Sequence, residues 1–129
     1  MESLRIEKTL NTPFVHLDPD TGKLEIKGRS VPENPLEFYT PINDWLERFK
    51  AQAAERVLSL DVELEYFNTS SSKCLLDVFK KMAQLKSVGA AVEINWWCEE
   101  FDDDMIEAGK DYQDLLESIS FNIRIIAEE

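Results

Sequence analysis

The chain has 129 residues, enough for one domain with a single core and short for two. Its 26 Asp and Glu against 14 Lys and Arg leave a formal charge of −12, which argues against a nucleic-acid partner and against an anionic membrane surface. No apolar run approaches the length that crosses a bilayer, and the first residues are charged rather than signal-like, so a cytoplasmic protein without membrane insertion is expected.

Residues 14–17 and 23–27 flank Asp18-Pro19-Asp20-Thr21-Gly22, whose residue types supply a tight reversal, and together they predict a β-hairpin. Residues 28–34 read as a polar loop. Phe38, Ile42, Trp45, Leu46 and Phe49 then recur at helical spacing. The start of this first helix is open, because Asn34-Pro35 and Thr40-Pro41 each offer a cap followed by proline, and a break or kink near Thr40 would reconcile them.

Residues 57–66 alternate, with Leu58, Leu60, Val62, Leu64 and Tyr66 on one face and Ser59, Asp61, Glu63 and Glu65 on the other, which predicts a strand. The period then changes. Leu75, Val78, Phe79, Met82 and Leu85 predict a second helix with Asn68, Thr69 or Ser70 at its N-cap, and Val88-Gly89 stops it. Residues 91–97 read as a strand buried on both faces. Asp102, Asp103 and Asp104 suit the start of a third helix carrying Met105, Ala108, Gly109, Tyr112, Leu115 and Leu116, and residues 121–127 give a last strand before an acidic tail. The order ββαβαβαβ implies an α/β domain with a mixed sheet of about five strands and three main helices, parallel in part through right-handed crossovers.

Hydroxyls at Thr69, Ser70, Ser71 and Ser72 sit where strand gives way to helix, and there the orphan amides and the helix dipole favour an anion. Residue types alone do not choose among the four, and a helix cap uses the same residues. Lys73 stands in the first turn, where a cation opposes the dipole at a cost of ~0.3 to 1 kcal/mol. Four residues after Thr69, it is placed to approach a phosphate there or an acidic partner surface; the plain alternative is a solvated lysine. Lys73, Lys80, Lys81 and Lys86 stand against Asp77 alone, whereas residues 99–117 are strongly acidic, a polarity suited to orienting a docking partner or simply two solvated faces.

Cys74 and Cys98 lie outside any CxxC or zinc spacing and are expected to be free, packed thiols. The run Glu99 to Asp104 lacks the alternation and glycine of an EF-hand, so no metal is expected there. His16 is the lone histidine and reads as structural. Without GxGxxG, P-loop, HExxH or GxSxG, no cofactor and no catalytic residue is expected. Trp96 and Trp97 cannot share one side of a strand, so one of them belongs at a rim or interface.

Several segments carry a resemblance. Gly28-Arg29-Ser30-Val31-Pro32-Glu33-Asn34-Pro35, Asp44-Trp45-Leu46, Leu64-Glu65-Tyr66-Phe67-Asn68-Thr69-Ser70-Ser71-Ser72-Lys73 and Asp104-Met105-Ile106-Glu107-Ala108-Gly109 resemble, in order, the signature segments of the SiaC-type regulatory phosphoproteins of bacterial biofilm control. These proteins are relatives in fold of the STAS domains of anti-sigma-factor antagonists, and the resemblance runs from about Pro13 to about Ile125. It implies a single STAS-like domain over residues 1–129 with a core of about 13–126. It also implies a non-enzymatic partner switch in which Thr69 is phosphorylated by a Ser/Thr protein kinase and restored by a protein phosphatase. The unmodified form would bind and activate a GGDEF diguanylate cyclase, linking the switch to cyclic di-GMP and biofilm formation. Asn68, Ser70, Ser71, Ser72, Lys73 and Lys80 are then expected to face partners. One rival is an anti-sigma-factor antagonist acting on an anti-sigma kinase; a more distant one is a carboxylate-dependent metal enzyme using residues 99–104.

Overall fold

Alternation with a period of two and stripes with a period of 3.6 become six strands and three helices in the computed structural model, which describes residues 1–126. In chain order they are β1 (Leu4–Ile6), β2 (Phe14–Leu17), β3 (Lys23–Ser30), α1 (Pro35–Phe49), β4 (Val57–Phe67), α2 (Thr69–Ser87), β5 (Ala91–Glu99), α3 (Asp103–Leu115) and β6 (Ser120–Ile126). A short 3-10 turn, Lys50–Gln52, follows α1.

Strand order in space is strand order in sequence, β1 to β6. The β1, β2 and β3 pairs are antiparallel, while β3 through β6 are parallel. Each parallel neighbour is reached through one helix, and right-handed crossovers repeated in one direction lay all three helices on the same face of the sheet. Leu24, Ile26, Leu60, Val62, Ile94 and Trp96 from the strands meet Ile42, Trp45, Phe49, Leu75, Phe79 and Met82 from the helices in one buried core. The opposite face stays open to water.

That one-sided layering corrects two expectations. β5 buries Val92, Ile94, Trp96 and Cys98 beneath the helices, but its other face carries Glu93, Asn95 and Trp97. These are held by side-chain hydrogen bonds rather than by a second apolar layer: Trp97 Nε1 donates to Asp61 Oδ1 at 2.9 Å, and Arg124 Nε donates to Asn95 Oδ1 at 3.1 Å. Tyr66 does not follow Leu64 into the core. The β3–β4 register shifts between Gly28 and Arg29, pairing Gly28 with Leu64 and Arg29 with Tyr66, so Glu65 has no counterpart and Tyr66 is turned outward.

The sheet has six strands, not five. β1 is three residues long in a charged stretch, too short to register as alternation, yet its pairing sets Leu4 opposite Leu17 and Ile6 opposite Val15, both against the core. The expected loop over 28–34 begins later, since β3 runs through Ser30. α1 is one continuous helix capped by Asn34, whose side chain accepts from Glu37 N; Pro41 sits inside it without a break. Pro41 and Glu37 are both exposed, so water can satisfy the carbonyl that loses its donor there. Ala127 and the acidic tail lie outside the described residues.

Candidate functional site at the start of the second helix

The register shift that turns Tyr66 outward sends Phe67 inward, where its ring meets Trp96 edge-on with centroids 5.7 Å apart. One residue later, Asn68 N donates to Ser30 O at 3.2 Å, tying the end of β4 to the end of β3. Asn68 is extended, its side-chain oxygen accepts from Ser71 N at 2.9 Å, and its carbonyl accepts from Ser72 N at 3.0 Å. Of the three N-cap candidates, Asn68 is therefore the cap, and Thr69 is the first helical residue.

The four hydroxyls separate into two classes. Ser71 is fully buried, and its hydroxyl donates to Ser30 O at 2.9 Å while accepting from Ser30 Oγ at 2.9 Å. Ser30 Oγ lies 2.6 Å from the Tyr39 hydroxyl, so β3, α1 and α2 meet in one satisfied polar cluster; burial pushes the Tyr39 phenol well above its ordinary pKa. Ser72 is half-buried, and Tyr112 holds it twice, donating to Ser72 O at 2.8 Å and lying 3.0 Å from Ser72 Oγ. Tyr112 is likewise raised, chiefly by burial. Thr69 and Ser70 are exposed, and among the described residues neither hydroxyl makes a hydrogen bond. Ser71, expected on the partner-facing surface, is in the core instead, because a helix that packs its Cys74, Leu75 and Val78 side against the sheet also turns position 71 inward.

Lys73 is exposed beside this turn and makes no ion pair among the described residues. Lys80 is exposed too, but eleven residues after Thr69 it stands about 16 Å along the helix axis and does not belong to the same spot. The remaining basic side chains of α2 are used internally: Lys81 pairs with Glu47 of α1 at 2.6 Å, and Lys86 donates to Ser118 O. Both bonds help hold neighbouring elements to α2.

The acidic run and the two thiols have structural places. Asp102 caps α3, accepting from Met105 N at 3.1 Å, and among the described residues no three His, Cys, Asp or Glu side chains converge as a metal-ligand set. Cys74 and Cys98 are free and buried, and burial raises both thiols above their ordinary pKa, with Asp77 and Asp102 adding to it. A cleft of about 470 Å³ runs from the open sheet face, at Lys27, Glu63, Trp97 and Ile126, to the strand tips at Glu65, Glu99 and Asp102. Ser30, Tyr39 and Tyr112 are the residues that sequence reading left out of the site. Ser30 lies in a signature segment, but no spacing announces contacts over 41 or 40 positions in sequence.

Comparison with known proteins agrees with this geometry. The family model for the SiaC family regulatory phosphoprotein matches residues 6–126. An uncharacterized protein of Pseudomonas aeruginosa strain UCBPP-PA14 is 33% identical over 129 residues, covering 100% of this chain and 99% of that protein. The crystal structure of apo-SiaC from Pseudomonas aeruginosa superposes with a TM-score of 0.83 at 33% identity, over 98% of this chain and 100% of that one. The same score and identity relate this chain to SiaC in the crystal structure of the diguanylate cyclase SiaD in complex with its activator SiaC, over 97% and 99% of the two chains. With the match spanning nearly its whole length, this chain belongs to the SiaC family of regulatory phosphoproteins.

Proposed function

We propose that this chain is a non-enzymatic, cytoplasmic partner switch whose unmodified form binds and activates a GGDEF diguanylate cyclase. A Ser/Thr kinase phosphorylates Thr69, a phosphatase restores it, and the cycle controls cyclic di-GMP and biofilm formation. The supporting observation is the division among the four hydroxyls. Ser71 and Ser72 are engaged, whereas Thr69 and Ser70 are exposed at the start of a helix whose cap belongs to another residue, and the family resemblance chooses Thr69 of these two. A phosphate there brings about −1.5 to −2 charge to a helix end that favours anions, so the fold tolerates it while the surface changes sign. The SiaC relative crystallised with a diguanylate cyclase as its activator supports the choice of partner.

Phosphosite mapping combined with cyclase pull-down tests this. The expected result is phosphate on Thr69, retained binding by Thr69→Ala, and weakened binding by Thr69→Asp and by the phosphorylated protein. Phosphate confined to Ser70, or equal cyclase binding by all four forms, would overturn it.

A further inference from the structure

The parallel strands end together, and the segments that leave them form a single rim around Thr69. Large apolar side chains stand in water on that rim: Leu10 beside β3 is 87% exposed and Ile125 near the end of β6 is 46% exposed, and each connection to a helix carries one more, Leu36 after β3 at 71%, Tyr66 at the tip of β4 at 50% and Phe101 after β5 at 79%. Neighbouring strands lie about 4.8 Å apart, so the tips of β3 and β5 flank β4 across roughly 10 Å. Thr69 follows Tyr66 by three residues, at the start of the helix that leaves the middle one of these three strands. Tyr66 carries the Arg29 guanidinium 5.7 Å from its ring centroid, and Tyr and Arg are residue types that dominate binding energy in protein interfaces.

Charge specifies what fits this rim. The carboxylates of Glu33, Glu37, Glu65, Glu99, Glu100 and Asp103 are exposed around it and outnumber the cations there, Lys8, Arg29 and Lys73. The opposite end of the sheet also exposes apolar side chains, among them Val57 and Leu115, which lie away from Thr69 and serve as controls.

We propose that Leu36, Tyr66 and Phe101 are the anchor contacts for the cyclase, and that the cyclase meets this rim with a segment that is apolar at its centre and basic at its flanks. This inference rests on the cyclase reading above and gives it a location. Basic flanks complement the acidic rim, while the apolar centre lies over Thr69. A phosphate on Thr69 therefore faces partner groups that cannot solvate it, and the contact is lost even though the flanks attract negative charge.

The test uses the full chain and, as probe, the diguanylate cyclase SiaD of Pseudomonas aeruginosa, with affinities measured by calorimetry and folding checked by circular dichroism. Leu36→Ala, Tyr66→Ala and Phe101→Ala are expected to weaken binding about tenfold or more each, whereas Val57→Ala and Leu115→Ala stay within about twofold of wild type. Binding should also weaken as salt rises from about 0.05 to about 0.3 M, and with Glu99→Lys. If wild type binds and the three rim variants bind equally well, the rim assignment falls while the cyclase reading stands. Binding that strengthens with salt removes the basic flanks, and failure of wild type to bind at all overturns both.

Discussion

The Tyr112 hydroxyl on α3 donates to the Ser72 carbonyl on α2 at 2.8 Å and lies 3.0 Å from the Ser72 hydroxyl. A side chain from the third helix thus closes the first turn of the second. Tyr112→Phe keeps the ring packed edge-on against Phe79, with centroids 5.0 Å apart, but removes both bonds. The expected loss is about 1 kcal/mol by urea unfolding, with phosphate still mapping to Thr69 because Ser72 stays half-buried.

The cap, Asn68, and the proposed phosphorylation site, Thr69, are adjacent, and mutagenesis should separate them. Asn68→Ala removes the acceptor for Ser71 N and is expected to cost about 1 kcal/mol. Thr69→Ala touches an exposed hydroxyl with no partner among the described residues and should change stability by no more than about 0.5 kcal/mol while abolishing the switch. A reversed ranking in thermal or urea unfolding would contradict the assignment of Asn68 as the cap.

The close approach of α3 to β5 makes Gly109 a sharp probe of packing. A Cβ built there would stand 2.6 Å from Trp96 Cδ1, and Trp96 has no slack because its Nε1 donates to Met105 O at 2.9 Å. Gly109→Ala is expected to destabilise by about 1 to 3 kcal/mol and to shift indole fluorescence. Retention of wild-type stability would mean that the helix moves off the sheet at little cost.

Alkaline pH should reveal the buried phenols. Burial raises Tyr39 well above its ordinary pKa of 10.0 and raises Tyr112 in the same direction. A group whose folded pKa exceeds its unfolded one contributes its full stability below the unfolded value and loses it as pH rises further. Stability is therefore expected to hold up to about pH 10 and to fall above it, with a shallower fall in Tyr39→Phe. Urea midpoints across that range are the measurement.

Legibility of the fold in the sequence varies with the range of the interactions involved. β4 and α2 were legible because Leu58, Leu60, Val62 and Leu64 alternate locally, and Leu75, Val78, Phe79 and Met82 repeat locally. The turn at Gly22 and the stop at Gly89 were equally local, both glycines having positive φ. β1 escaped because three residues cannot display a period and its stability comes from pairing with β2. β5 read as doubly buried because Trp97 is apolar by type, though it lies on the open face with its indole N–H held by Asp61. At the site, the hydroxyl cluster and the helix boundary were visible, and the family resemblance selected Thr69. The burial of Ser71 and the contacts from Ser30, Tyr39 and Tyr112 were not visible, since they join elements that meet only once the sheet has formed.

Stacking the crossovers in one direction has an effect on how such a protein diversifies. Every loop leaving a parallel strand arrives at the same margin, while the side chains that fix the sheet lie a full layer beneath. Under the proposed reading, substitutions of the exposed side chains along that margin would alter what is recognised without disturbing Trp45, Phe79 or Trp96 below. The exposed side chains of the margin are therefore free to drift, provided that the cap and the engaged hydroxyls at Asn68, Ser71 and Ser72 are kept.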